Sequence, residues 1–186
     1  DSISKTFTVV IALCLVCSII VAGSAVGLKS KQEANAALAK QVNILNTAGV
    51  DREGRAADVV FAERVRVAAF NQQTGELQAF DTLTAMDQHL ANVATLSGVD
   101  GAQQAGVRDM RAEIPVYAVT DAEGSVQTYL MDIRGAGLWG MMYAYLAVEP
   151  DGQTIRDIYF YQHQETPGLG GEIQNPRWTG NFKGLT

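Results

Sequence analysis

Apolar residues are concentrated in one uninterrupted segment close to the N-terminus. Residues 7–28 contain no Asp, Glu, Lys or Arg. A helix of this length spans about 33 Å, enough to cross a hydrocarbon core of about 30 Å. The alternative is a secretory signal peptide, whose apolar part would be only about 7–15 residues long before a small-residue cleavage site such as residues 22–25. The longer segment favours a permanent anchor, so residues 1–28 are predicted to be an N-terminal tail and transmembrane helix.

The pattern then changes to a helical repeat of apolar positions among polar ones. Leu38, Val42 and Leu45 follow one another at spacings of four and three residues, which is typical of a helix with one apolar stripe. Gly49 ends the repeat. Residues 29–49 are therefore predicted to be an amphipathic stalk helix.

Beyond residue 50, short segments alternate between apolar and polar positions, as in strands that bury one face. Strands are predicted over residues 64–70, 76–80, 114–120, 125–133, 141–149 and 154–162. The last four of these form two consecutive hairpins, which imply an antiparallel sheet of at least four strands. Helices are predicted around them, so residues 50–186 are predicted to form an α+β domain.

Two helices and a loop complete this prediction. One short helix is predicted over residues 55–63, and a second begins after Thr82 or Thr84 as its N-cap and continues to Leu96. His89 lies in the second helix, where we expect an exposed side chain that is a poor ligand candidate. Residues 98–109 are predicted to be a loop.

Charge and cysteine usage narrow the function classes. The chain carries 20 Asp and Glu against 14 Lys and Arg, an acidic balance that argues against a nucleic-acid partner. Cys14 and Cys17 both lie in the apolar segment, so no disulfide framework is predicted for the polar part. Their spacing places both on one helix face, but small apolar residues of a membrane helix explain them better than metal ligands do.

Residues 164–172 form the most distinctive polar segment, Gln-Glu-Thr-Pro-Gly-Leu-Gly-Gly-Glu. Glycine allows positive φ and close approach of the backbone to a bound group, and Pro167 fixes one φ. The composition is compatible with a shaped loop that binds a flat or anionic ligand, and equally with a plain tight turn.

The order of residues in this loop resembles a known family. Residues 165–171 read Glu-Thr-Pro-Gly-Leu-Gly-Gly, residues 137–144 read Gly-Leu-Trp-Gly-Met-Met-Tyr-Ala, and residues 175–178 read Asn-Pro-Arg-Trp. Together they resemble the FMN-binding domain family of bacterial respiratory complexes, in particular the C subunits of the sodium-translocating NADH:quinone oxidoreductases. The G subunits of the ion-pumping ferredoxin:NAD oxidoreductases share the first string but resemble the chain less well around Trp139 and Asn175.

The resemblance implies a membrane-anchored flavoprotein that relays electrons through FMN toward quinone as part of a translocase, the chain alone being an electron carrier. It also implies other membrane subunits as partners and a bacterial inner membrane in which the soluble domain faces the periplasm. Lys5 before the apolar segment and Lys29, Lys31 and Lys40 after it would predict the opposite orientation. The G subunit of the ferredoxin:NAD complexes and a cofactor-free membrane scaffold are the alternatives.

The resemblance also assigns candidate FMN contacts. Trp139 and Leu169 would supply apolar surface for the isoalloxazine, and Glu165 and Thr166 would supply polar contacts. Backbone groups of Gly168, Gly170 and Gly171 would add more. Three interpretations without a ligand remain open: a core tryptophan at 139, an exposed loop acid at 165, and a hydroxyl at Thr166 that only caps the loop.

In the family, FMN is attached through a phosphoester to the threonine of a Gly-Ala-Thr motif. No Gly-Ala-Thr occurs in residues 1–186, and the sequence around Thr186 does not match the motif. We therefore expect covalent FMN on a threonine outside these 186 residues; the other possibility is a protein without covalent flavin.

Overall fold

The computed structural model describes residues 2–97 and 102–186. Its residues group into two units, one ending at Lys40 and the other comprising Gln41–Thr186. Helix α1, Ile3–Thr47, runs without interruption from the first unit into the second. The domain boundaries at residues 28 and 49 stay predictions.

The first unit is the apolar part of α1. Among the described residues, only α1 is long and apolar enough to cross a membrane. Large apolar side chains such as Phe7, Leu13 and Ile19 are exposed along it. Because such side chains are stable in lipid rather than in water, the helix has the character of a membrane anchor.

Helix α1 ends at Thr47, and Gly49 lies in the turn that caps it. The Gly49 N–H donates to the Asn46 carbonyl over 3.0 Å and the Val50 N–H to the Leu45 carbonyl over 2.9 Å. Gly49 has a φ of 73°, so the two bonds form the Schellman arrangement that satisfies the last carbonyls of a helix. The final turn buries Ile44 completely in the core of the second unit.

The second unit combines one large sheet with short helices. Its elements are α2 Ala57–Arg64, β1 Val65–Asn71, β2 Leu77–Phe80, α3 Leu83–Ala91, β3 Thr95–Ser97, β4 Asp109–Arg111, β5 Glu113–Thr120, β6 Val126–Ala136, β7 Met141–Val148, β8 Ile155–Gln162 and α4 Pro176–Thr179. Short 3-10 helices at Gly170–Gln174 and Gly180–Phe182 flank α4.

Six strands form an antiparallel sheet in the order β2-β1-β5-β6-β7-β8. Turns with glycine at positive φ connect β5 to β6 and β7 to β8, at Gly124 with a φ of 87° and at Gly152 with a φ of 71°. The predicted α+β class with an antiparallel sheet is confirmed.

The main core lies between the helices and one face of the sheet. Alternate residues of the strands point to this face, as the period of two requires. The buried cluster includes Ile44, Phe61, Val67, Met86, Leu90, Tyr117, Val119, Leu130, Tyr145 and Ala147. Residues of α1, α2 and α3 thus close the same face that β5, β6 and β7 present.

The prediction that α3 continues to Leu96 is wrong. The Thr82 hydroxyl caps the helix by accepting from the Ala85 N–H at 3.1 Å, but the helix ends at Ala91. Leu96 instead pairs with Met110 in a small sheet of β3 and β4. The β-branched residues after Ala91 favour strand over helix.

Two further predictions differ from the structure. His89 is not exposed: its Nε2 lies 2.6 Å from Glu113 Oε2, and the two side chains are only partly accessible. In the predicted loop 98–109, Asp109 already begins β4, while residues 98–101 lie outside the described residues.

Candidate functional site

Two loops meet at one end of the sheet. Ala136 pairs with Met141 at the end of the β6–β7 hairpin, and Tyr143 of β7 pairs with Gln162 at the end of β8. The turn at residues 137–140 and the loop that follows β8 at residues 163–171 are therefore neighbours. We call these two segments together the loop pair.

The turn at residues 137–140 presents two large apolar side chains to the outside. The Gly137 N–H donates to the Gly140 carbonyl over 2.7 Å and closes the turn. Leu138 is 82% exposed and Trp139 is 65% exposed. Trp139 is therefore not a core tryptophan, and its indole is available to a ligand.

The loop after β8 is closed by backbone hydrogen bonds. The Thr166 carbonyl accepts from the Leu169 N–H at 3.1 Å and from the Gly171 N–H at 2.9 Å. Gly168 has a φ of 73°, which glycine adopts without strain. The loop is thus shaped by the Thr166 carbonyl rather than by its hydroxyl, and Leu169 at its tip is 73% exposed.

The structure excludes the alternative interpretation of Glu165 as an exposed loop acid. The residue is buried, with only 9% of it exposed. Its Oε1 accepts a hydrogen bond from the backbone N–H of Trp139 at 3.1 Å. Its own N–H donates to His163 Nδ1 over 3.1 Å. The carboxylate therefore joins the two segments of the loop pair.

The three predicted glycine donors are not equivalent. The Gly171 N–H is already used by the Thr166 carbonyl. In residues 2–97 and 102–186, the N–H groups of Gly168 and Gly170 make no backbone hydrogen bond outside regular elements. These two remain the better donors for a bound group.

The Asn-Pro-Arg-Trp segment has a packing role. The Asn175 side chain caps α4 by accepting from the Arg177 N–H at 3.0 Å, and Pro176 occupies the first turn, where a missing N–H costs nothing. Trp178 packs against Phe160 and Phe182, with ring centroids 5.9 and 4.9 Å away. Through the Trp178–Phe160 contact, the segment anchors the chain on β8.

A cavity of about 570 Å³ lies beside the loop pair, and sequence reasoning missed it. Its wall includes Asp132, Arg134, Tyr143 and Tyr161 from the sheet and Val107 from the segment before β4. None of the seven predicted flavin contacts lines it. Asp132 is an acidic residue at an inward position of a strand, and this is the one sequence signal that could have pointed to the cavity.

Burial and charge perturb the tyrosines of this region. The Tyr161 hydroxyl donates to Asp132 Oδ1 over 2.8 Å. Burial, followed by the nearby Asp132 carboxylate, raises the pKa of Tyr161 above its ordinary value. Both effects favour the neutral phenol, so Tyr161 acts as a hydrogen-bond donor rather than as an acid.

Comparison with known proteins identifies the family. A family model described as FMN-binding domain matches residues 137–184, which include the whole loop pair. The C subunit of the Na(+)-translocating NADH-quinone reductase of Yersinia pestis is 42% identical over 192 residues, covering 99% of this chain and 71% of that protein. The C subunit of Vibrio alginolyticus is 43% identical, covering 99% and 72%. The chain belongs to this C-subunit family.

Solved structures agree with this assignment. Shewanella oneidensis NqrC has a TM-score of 0.68 and 29% sequence identity, covering 77% of this chain and 67% of that one. The C subunit from Parabacteroides distasonis has a TM-score of 0.60 and 28% identity, covering 84% and 69%. The predicted resemblance to the C subunits is thereby confirmed, and the G subunit of the ferredoxin:NAD complexes is not the family that these relatives represent.

Proposed function

We propose that this C-subunit homologue is a membrane-anchored flavoprotein of a sodium-translocating NADH:quinone oxidoreductase, which relays electrons through FMN toward quinone. The observation that carries the proposal is the coincidence of two independent features. The FMN-binding domain match covers residues 137–184, and within it the loop pair exposes apolar side chains that a folded protein normally buries.

The loop pair fits the needs of a flavin. An isoalloxazine requires flat apolar surface and hydrogen bonds along its polar edge. Trp139 and Leu169 supply exposed apolar surface, and the N–H groups of Gly168 and Gly170, with the exposed Thr166, supply polar contacts. FMN, when bound, provides one-electron transfer; these residues bind it, orient it and limit its contact with water.

Glu165 and Gly171 serve the same site indirectly. The Glu165 carboxylate accepts from the Trp139 backbone, and the Gly171 N–H closes the loop on Thr166. Both therefore contribute to the shape of the site, and the proposed flavin contacts are the other five predicted residues: Trp139, Thr166, Gly168, Leu169 and Gly170.

We propose a covalent flavin, joined by a phosphoester between the FMN phosphate and a threonine hydroxyl. The support is the resemblance of the loop pair to domains that carry FMN in this way. No threonine among residues 1–186 lies in a Gly-Ala-Thr sequence, so the attachment residue is assigned to sequence outside this range.

The anchor and its partners complete the proposal. Helix α1 holds the domain in the bacterial inner membrane, with lipid and other membrane subunits around it and the sheet domain in the periplasm. Because residues 7–28 carry no charge, α1 offers no path for sodium, which is assigned to other subunits. Introduced cysteines test the orientation: Glu123→Cys should react with an impermeant thiol reagent in cells whose outer membrane is permeabilised. Ser2→Cys should react only after the inner membrane is opened, and the reverse result would place the domain in the cytoplasm.

The flavin itself is tested in the full-length protein, expressed together with a flavin transferase and purified from membranes. After denaturing electrophoresis we expect a fluorescent band and a mass increase of one FMN less one water. A full-length protein without bound flavin would contradict the proposal and favour the cofactor-free scaffold.

A further inference from the structure

Glu165 has an environment that a direct flavin ligand does not need. Resting on the proposed flavin site, we infer that Glu165 is a positioning residue: its buried carboxylate fixes the backbone of Trp139 and thereby sets the indole against the flavin. This role differs from a polar contact between the carboxylate and the cofactor.

The first support is the direction of the carboxylate. Oε1 of Glu165 lies 3.1 Å from the backbone nitrogen of Trp139, and only 9% of Glu165 is exposed. The group is thus committed to the backbone of the neighbouring turn and is largely closed to solvent.

The second support comes from the glycines that surround the carboxylate. A Cβ added at Gly137 would lie 2.3 Å from Glu165 Oε1, and one added at Gly170 would lie 2.6 Å from Oε2. All three nearest atoms to the Gly170 position belong to Glu165. These two glycines therefore make room for the Glu165 side chain, and their absence of a side chain is explained without any ligand.

The third support is the exposure of Trp139. Its side chain is 65% exposed, so packing holds it only weakly and its position depends on the backbone of the turn. That backbone is held by the Gly137–Gly140 hydrogen bond and by Glu165. Gln164 adds a contact, since a Cβ at Gly140 would lie 2.9 Å from its Oε1.

The test is a double-mutant cycle in the intact, FMN-loaded protein, read by the flavin absorption spectrum and midpoint potential. Glu165→Ala should shift both in the same direction as Trp139→Ala, by about fivefold in the equilibrium constant of flavin reduction, the size of one net hydrogen bond. Glu165→Gln should retain the wild-type values, because its amide oxygen can still accept from the Trp139 N–H. Glu123→Ala, an exposed acid in the β5–β6 turn, is the matched control and should change nothing.

The decisive arm is the double variant. A residue that acts through Trp139 adds nothing once the indole is gone, so Trp139→Ala/Glu165→Ala should match Trp139→Ala alone. If Glu165→Ala shifts the flavin potential equally in the wild-type and Trp139→Ala proteins, Glu165 contacts the flavin directly and the inference is overturned. A Glu165→Ala protein with the wild-type spectrum and potential would overturn it as well. If Glu165→Ala does not fold, Glu165→Asp, which withdraws the carboxylate by one methylene, takes its place in the cycle.

Failure of the proposed function gives a different result. A full-length wild-type protein without FMN would refute the flavoprotein itself. A loaded protein in which Trp139→Ala leaves spectrum and potential unchanged would place the flavin elsewhere and remove the basis of the positioning role.

Discussion

The helix-covered face of the sheet and the loop pair at its end both carry large apolar and aromatic side chains, but the first buries them and the second exposes them. On the covered face, Tyr117 and Leu130 are fully buried, and packing holds the strands and helices together. In the loop pair, Leu138, Trp139 and Leu169 are each at least 65% exposed. Because packing does not bury these side chains, the conformation of the loop pair must be stabilised in another way.

Hydrogen bonds provide this stabilisation. The Thr166 carbonyl binds two N–H groups of its own loop, and the Glu165 carboxylate binds the Trp139 N–H of the opposite segment. Hydrogen bonds fix direction as well as distance, so they can hold the backbone of an exposed residue in place where packing does not. We therefore expect core substitutions to change the free energy of unfolding, and loop-pair substitutions to change the spectrum and midpoint potential of the bound flavin.

The largest expected effect is on the core. Leu130→Ala should lower the free energy of unfolding by about 2–5 kcal/mol, because it removes a fully buried side chain and leaves a cavity. Denaturant unfolding of the loaded protein measures this, with Leu138→Ala, an 82% exposed leucine, as the control that stays within about 0.5 kcal/mol. A changed flavin potential in folded Leu130→Ala protein would break the separation between the two regions.

Much of the core arrangement follows from sequence pattern. The alternation in β5 to β8 and the turn residues at Gly124 and Gly152 predict hairpins, because each hairpin is a local feature. Helix α3 ends early because Leu96 pairs with Met110, a contact across the chain that periodicity does not contain.

The site was predicted less completely. Motif order correctly indicated the FMN-binding family, but an acid in a Gly-rich and Pro-containing loop looks exposed in sequence. The burial of Glu165 arises from contact with residues such as Trp139, 26 positions away. The cavity at Asp132 was missed because its other wall, around Val107, has no periodic pattern.

A second expected effect concerns the pH dependence of the core. Burial, the largest cause, raises the pKa of Tyr117, Tyr145 and Tyr161 above 10. The folded state therefore binds these protons more tightly than the unfolded state does. Their contribution to stability is complete below about pH 10 and is lost as the pH rises above it. The free energy of unfolding, measured from neutral to alkaline pH, should decline less steeply in Tyr161→Phe than in the wild-type protein. An equally steep decline in both proteins would show that ionisation of Tyr161 does not contribute to it.

Gly170→Ala sharpens the comparison within the loop pair. Its Cβ would lie 2.6 Å from Glu165 Oε2, so we expect the carboxylate to move and the flavin spectrum to shift while the sheet stays folded. Gly180→Ala is the control, since a Cβ there meets nothing within 4 Å. Circular dichroism and the flavin spectrum together measure the two effects, and a Gly170→Ala protein with wild-type flavin properties would contradict the expectation.

The smallest effect is expected at the far end of the sheet. Hydrogen bonds from the Thr154 hydroxyl, the Thr154 N–H and the Gln153 N–H lower the pKa of Asp151. This stabilisation is present above the unfolded pKa near 4 and is lost as the pH falls through the folded pKa. Asp151→Ala should therefore lower the unfolding midpoint slightly at about pH 6 and leave it unchanged at about pH 2. An equal loss at both pH values would assign the effect to the turn rather than to the carboxylate charge.

The most direct measurement of the central claim is a crystal structure of the full-length, FMN-loaded protein. We expect isoalloxazine density in contact with Trp139 and Leu169, with the Glu165 carboxylate still bound to the backbone N–H of Trp139 and not to the ring. A flavin lying instead in the cavity lined by Asp132 and Tyr161, without contact to Trp139 or Leu169, would contradict this expectation.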